Sequence, residues 1–111
     1  MNRKNVYMFK MKSCPHCNDL EKLLTHHKIK FKTIDIHQHE KLWKIVMTAT
    51  GFDHVPQLLV NEWNGTDFIN SKYVSDFDTL DEAVQQVQFL LNNDVDNQVE
   101  EKNIENNLKN T

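Results

Sequence analysis

Cys14 and Cys17 are the only cysteines in the 111-residue chain, and only Pro15 and His16 separate them. A bridge across so short a loop constrains little of the unfolded chain, so the pair is not a structural staple. That leaves redox or metal chemistry. A thiol attacks a disulfide only as the thiolate, and free cysteine titrates near ~8.5, so a redox site must stabilise negative sulfur. Pro15 suits the first turn of a helix, because its missing N–H would have no partner there. Cys14 then stands at a helix N-terminus, where unpaired N–H groups and the macrodipole favour an anion. Lys10, Lys12 and His16 lie close in sequence and add positive potential. Cys17, one turn further in, faces the core. Cys14 is therefore the expected nucleophile and Cys17 the resolving thiol, with Pro15 and His16 tuning the thiolate. A closed zinc site needs two more ligands. Histidines 26, 27, 37, 39 and 54 show no finger spacing, so C-x-x-C ahead of a βαβ pattern favours redox chemistry over metal.

The elements that must hold this pair follow from hydrophobic periodicity. Residues 6–11 form a mostly apolar strand that ends just before the cysteines. Cys17, Leu20, Leu23, Leu24 and His27 mark one stripe of a helix over 15–27, and residues 29–36 read as a second strand. A second helix spans 40–50, with Leu42, Ile45, Val46 and Ala49 on the core face and Gly51 as its stop. Val55-Pro56 leads into a short buried strand at 57–60, with proline where a strand start tolerates one. Asn64-Gly65 is the strongest turn signal, and it joins that strand to a partner at 67–70 as a hairpin. Thr79 and Glu82 have the spacing of a capping box, followed by Leu80, Ala83, Val84, Val87, Leu90 and Leu91 on one helical face. The order β-α-β-α-β-β-α gives an α/β fold. Its first two strands are parallel through a right-handed crossover, in a four-stranded mixed sheet flanked by helices.

Charge and composition narrow the function classes. The net charge of −3 lies in residues 92–111, where five acids face two lysines, so residues 1–91 are neutral. A neutral body lacks the clustered basic surplus of a nucleic-acid footprint. No run approaches the ~18–20 apolar residues of a membrane span, and Met1 to Asn5 lead into no apolar signal segment. A soluble, cytoplasmic protein is expected, with no membrane partner. One domain over 1–91 is expected as well, followed by an Asn-rich acidic tail at 92–111. That tail carries too little apolar surface to offset its chain entropy and is expected to be disordered or weakly helical.

Cys14-Pro15-His16-Cys17, Gly51 followed by Val55-Pro56-Gln57, and a last helix opening with Asp78-Thr79-Leu80 together resemble the glutaredoxins, dithiol members of the thioredoxin fold. The resemblance covers residues 5–91. It implies a monomeric enzyme with no bound cofactor and glutathione as co-substrate, reducing protein disulfides or glutathione mixed disulfides. It also implies that Pro56 is cis and faces the cysteines, and that the backbone of Val55 pairs with the cysteinyl part of glutathione like an added strand. Phe77 and Asp78 would receive the γ-glutamyl end, where Asp78 pairs with the ammonium group, the competing reading being that Asp78 or Thr79 only caps the helix. Lys12 would take the glycyl carboxylate, because the lysine usual three residues before the first cysteine is replaced by Met11.

Four further positions depart from the family pattern: Asp53, His54, and Ser75-Asp76 in place of a glycine pair. An acid such as Asp53 repels a glycyl carboxylate by ~1 kcal/mol at 4 Å in water, more where solvent is excluded, and a protonated His54 would offset it. Two other readings of the same pattern stand beside the glutathione-linked one. One is an iron–sulfur carrier that uses Cys14 and glutathione; the other is a dithiol reductant served by thioredoxin reductase.

Overall fold

Alternation along the first strand, β1 (Arg3–Lys10), sends Val6 and Met8 to one side and Phe9 to the other, and all three are buried. Apolar residues on both faces require cover on both faces. The structure, a computed structural model, describes residues 3–92. Its remaining elements are α1 (Pro15–His26), β2 (Lys32–Asp35), α2 (Glu40–Thr50), β3 (Gln57–Trp63), β4 (Phe68–Val74) and α3 (Leu80–Asn92). The strand order is β2-β1-β3-β4, with β1 and β2 parallel and the other two pairings antiparallel. This is the expected element order and the expected mixed sheet.

Two cores sandwich the sheet. On one side Val6, Met8, Leu58, Val60 and Val74 meet Cys17, Leu20 and Leu24 of α1 and Ala83, Val84 and Val87 of α3. On the other, Phe9 and Ile36 meet Trp43 and Val46 of α2, with the Phe9 and Trp43 rings 5.9 Å apart. Each fully buried side chain of this size contributes ~1.5–3 kcal/mol. The register explains the sorting. Val6 lies opposite Val60 and Met8 opposite Leu58, whereas Tyr7 lies opposite Leu59 and Phe9 opposite Gln57, so cross-strand partners share a face.

Several expectations need correction, among them the strand expected at 57–60, which runs on to Trp63. The core stripe of α2 is Trp43, Val46 and the partly buried Met47, not Leu42, Ile45 and Ala49; Ile45 is 60% exposed. Both stripes have helical spacing, and the one carrying the larger Trp43 removes more apolar area from water. Next, α1 stops at His26, where Lys28 turns left-handed at φ 59°, so His27 is exposed and leaves the stripe. The second strand is shorter, Lys32–Asp35, with Ile29 buried ahead of it in the connection. Finally, β4 runs on to Val74. A bulge places one residue between Val60 and Glu62 against two on β4, and Asn70 takes a left-handed φ of 55° there.

The punctuation behaves as its chemistry requires. Gly51 ends α2 at φ 78°, its N–H donating to the Met47 carbonyl at 2.8 Å. Between β3 and β4 the Asn64 side chain accepts from the N–H groups of Thr66 and Asp67, both at 2.8 Å, which closes the turn. At the head of α3 the Thr79 hydroxyl accepts the Glu82 N–H at 3.1 Å, while the Glu82 carboxylate accepts the Asp78 N–H at 3.0 Å. At its other end Lys4 Nζ donates to the Leu90 carbonyl at 2.7 Å, a cation on the negative pole of the helix. The expected tail at 92–111 lies outside the described residues beyond Asn92. Among the described residues no helix is long and apolar enough to cross a membrane.

Candidate functional site

The loop after β1 turns through Ser13, at a left-handed φ of 60°, and delivers Cys14 to the N-cap of α1 with extended backbone and Pro15 in the first turn. Cys14 Sγ accepts the Cys17 N–H at 3.1 Å. A serine or threonine oxygen normally fills this place, satisfying one of the orphan donors of a first turn. Here a sulfur does so, and the backbone dipole at this end of the helix favours negative charge on it once the disulfide is reduced. Cys14 and Cys17 are joined as a disulfide, their Cα atoms 5.2 Å apart. Both are buried, Cys17 completely and Cys14 to 4% exposure, with Cys17 on the core side of α1.

Beside the first turn of α1 opens a cleft of about 490 Å³, lined by His16, His54, Val55, Pro56 and the segment 77–80. One wall is the loop between α2 and β3, in which the Val55–Pro56 peptide bond is cis. The other is the entry to α3, with Phe77, Asp78, Thr79 and Leu80. The His54 ring bridges the walls edge-on, 5.2 Å from the Phe52 ring and 6.2 Å from the Phe77 ring. No lysine or arginine lines the cleft, and its one acidic side chain is Asp78.

The cleft thus gathers His16, Val55, Pro56, Phe77 and Asp78, and Cys14 and Cys17 share a core cluster with Val55 and Phe77. Lys12 does not line the cleft; it is exposed in the turn before Cys14. Lys10, expected to add positive potential at the cysteines, instead pairs with Glu21 at 2.7 Å, so its charge is matched by a carboxylate. Asp78 is not the cap of α3, since the Thr79 hydroxyl does that work. No three histidine, cysteine, aspartate or glutamate side chains gather as a metal site among the described residues.

Sequence reasoning missed one feature of the site. Gln57, fully buried at the start of β3, donates from its amide to the carbonyls of Phe52 and His54, both at 3.0 Å, and its Oε1 accepts the Ser75 hydroxyl at 2.6 Å. A buried polar group must be satisfied, and here both amide hydrogens and the carbonyl oxygen are. A glutamine directly after Val-Pro was the available signal; its partners come from segments that only the fold brings near.

Comparison with known proteins adds three findings. The family model for glutaredoxin matches residues 6–62, just over half the chain, from β1 through most of β3. No curated protein matches. Among solved structures, thioredoxin from Plasmodium falciparum superposes with a TM-score of 0.54 at 14% identity, over 82% of this chain and 72% of that one. Glutaredoxin from Brucella melitensis gives 0.47 at 19% identity, over 80% and 86%. Trichomonas vaginalis thioredoxin gives 0.48 at 16% identity, over 79% and 78%. The first of these likenesses shows the thioredoxin-like fold.

Proposed function

Because the chain belongs to the glutaredoxin family and carries the paired cysteines of a thiol–disulfide oxidoreductase, we propose that it reduces protein disulfides and glutathione mixed disulfides with glutathione as the electron source. The observation that carries this reading is the Cys14 sulfur at the head of α1, accepting a backbone N–H, with a cleft of about 490 Å³ opening beside that first turn. In the reduced protein the Cys14 thiolate attacks one sulfur of a substrate disulfide and forms a mixed disulfide. The other substrate sulfur leaves as a thiolate and takes up a proton.

Two exits follow. Where the group now on Cys14 is glutathione, a second glutathione thiolate attacks its sulfur, releasing oxidised glutathione and the Cys14 thiolate. Where it is a protein sulfur, the Cys17 thiolate attacks Cys14, frees the client thiol and leaves the Cys14–Cys17 disulfide, which two glutathiones reduce in succession. Burial suits Cys17 to this second role, since it meets few partners other than Cys14.

Glutathione would lie along the cleft with its cysteinyl backbone beside Val55 and cis-Pro56, its ammonium group toward the Asp78 carboxylate and its γ-glutamyl end against Phe77. Lys12, with no side-chain partner among the described residues, would meet the glycyl carboxylate from outside the cleft. The chemistry needs no bound cofactor. The test is a pair of variants assayed with a glutathionylated peptide. Cys14→Ser abolishes turnover and Cys17→Ser retains it; normal activity in Cys14→Ser refutes the reading.

A further inference from the structure

The two walls of the cleft come from separate connections of the chain, and neither wall has ladder hydrogen bonds of its own. Residues 52–56 lie between α2 and β3, and residues 75–79 between β4 and α3. A substrate held between them experiences whatever fixes their separation. The ring contacts of His54 are exposed and weakly directional. By contrast, the Gln57 side chain is buried and bonded at three points.

Its amide nitrogen holds the carbonyls of Phe52 and His54, on either side of Asp53, and so fixes the loop that presents Val55 and cis-Pro56. Its carbonyl oxygen accepts from Ser75, which stands three residues before Asp78 and is only 5% exposed. The sheet register explains why these two meet. Leu58 pairs with Val74, so Gln57 and Ser75 face each other one step beyond the last paired positions. A hydrogen bond shielded from water in this way is strong and directional, and the members of a connected network reinforce one another. The serine stands where the family resemblance calls for a glycine, so its hydroxyl is the group that completes the tie.

We infer that Gln57 and Ser75 are positioning residues that set the distance between the two cleft walls, and so determine how tightly the extended segment of a disulfide substrate is held beside Cys14. The inference rests on the proposed function for the identity of that segment. It places no contact between Gln57 or Ser75 and the reacting sulfur, whose backbone donor belongs to α1. The pair therefore affects substrate binding and leaves the sulfur chemistry alone.

Gln57→Met, Ser75→Ala and Ser75→Thr test it, each first shown by circular dichroism to be folded. Steady-state kinetics are measured with a glutathionylated peptide under glutathione, and with a peptide disulfide under dithiothreitol. In parallel, the rate of Cys14 alkylation by iodoacetamide is measured on the reduced proteins. The expected result is a rise in KM of about fivefold or more in Gln57→Met and Ser75→Ala, with kcat and the alkylation rate within about twofold of wild type. Ser75→Thr, which keeps the hydroxyl, restores the wild-type KM. A KM unchanged in Ser75→Ala, or an alkylation rate that falls with it, overturns the inference.

Wild-type protein that turns over only the peptide disulfide refutes the glutathione reading alone, and the KM comparison is then made on that substrate. Wild-type protein inert to both overturns the reading and the inference together.

Discussion

The Cys14 sulfur does two jobs with one set of atoms: it caps α1 through the Cys17 N–H, and it forms the redox bond to Cys17. Capping by sulfur means that the folded chain presents a backbone donor to this atom before any substrate arrives, a preorganised stabilisation of negative charge. The lysine nearest it in the strand contributes less than its proximity suggests. Lys10 and Glu21 form a partly exposed pair, and two opposite charges 2.7 Å apart largely cancel at a third point. Replacing both, as Lys10→Met with Glu21→Gln, is expected to leave the pH midpoint of Cys14 alkylation where it was. A rise of the midpoint in the double variant would show that the lysine, and not the helix terminus, holds the thiolate.

Among the elements, α2 offers the sharpest test of the packing. Trp43 seals the second core against Phe9, while Ile45 is left on the surface. Trp43→Ala is expected to cost ~3–5 kcal/mol in urea unfolding followed by circular dichroism, and Ile45→Ala to stay within ~0.5 kcal/mol. Equal costs would mean that the helix face is wrong. The same helix shows where periodicity stops being informative. Leu42, Ile45 and Ala49 are as well spaced as Trp43, Val46 and Met47, and only the sheet beneath decides between them. Features that depend on neighbours in sequence were legible: the Asn64-Gly65 turn, the Gly51 stop, and the Thr79–Glu82 cap. Those that depend on partners far along the chain were not. Asn70-Ser71-Lys72 continues β4 because its three side chains are exposed, where polar groups need no buried partner. Gln57 meets Ser75 only after β3 and β4 have paired.

For the molecule as a whole, β1 runs straight to the Ser13 turn that sets Cys14 on α1, while β3 and β4 carry the two cleft walls to the same end of the sheet. The cysteine motif and Val55-Pro56 were recognisable from residue types and spacing, and the fold sets His16 of that motif in one cleft with Val55 and Pro56. The bond between Lys10 and Glu21 and the position of Lys12 outside the cleft needed the structure, since both depend on the direction of long side chains. The opening step of the proposed cycle, attack by Cys14, relies on the start of α1 favouring negative charge on that sulfur. The most direct test is the rate of iodoacetamide alkylation of Cys14 in the reduced protein as a function of pH, with Cys17→Ser isolating the signal. The account expects the midpoint to fall well below the ~8.5 of free cysteine. A midpoint at or above that value would contradict it.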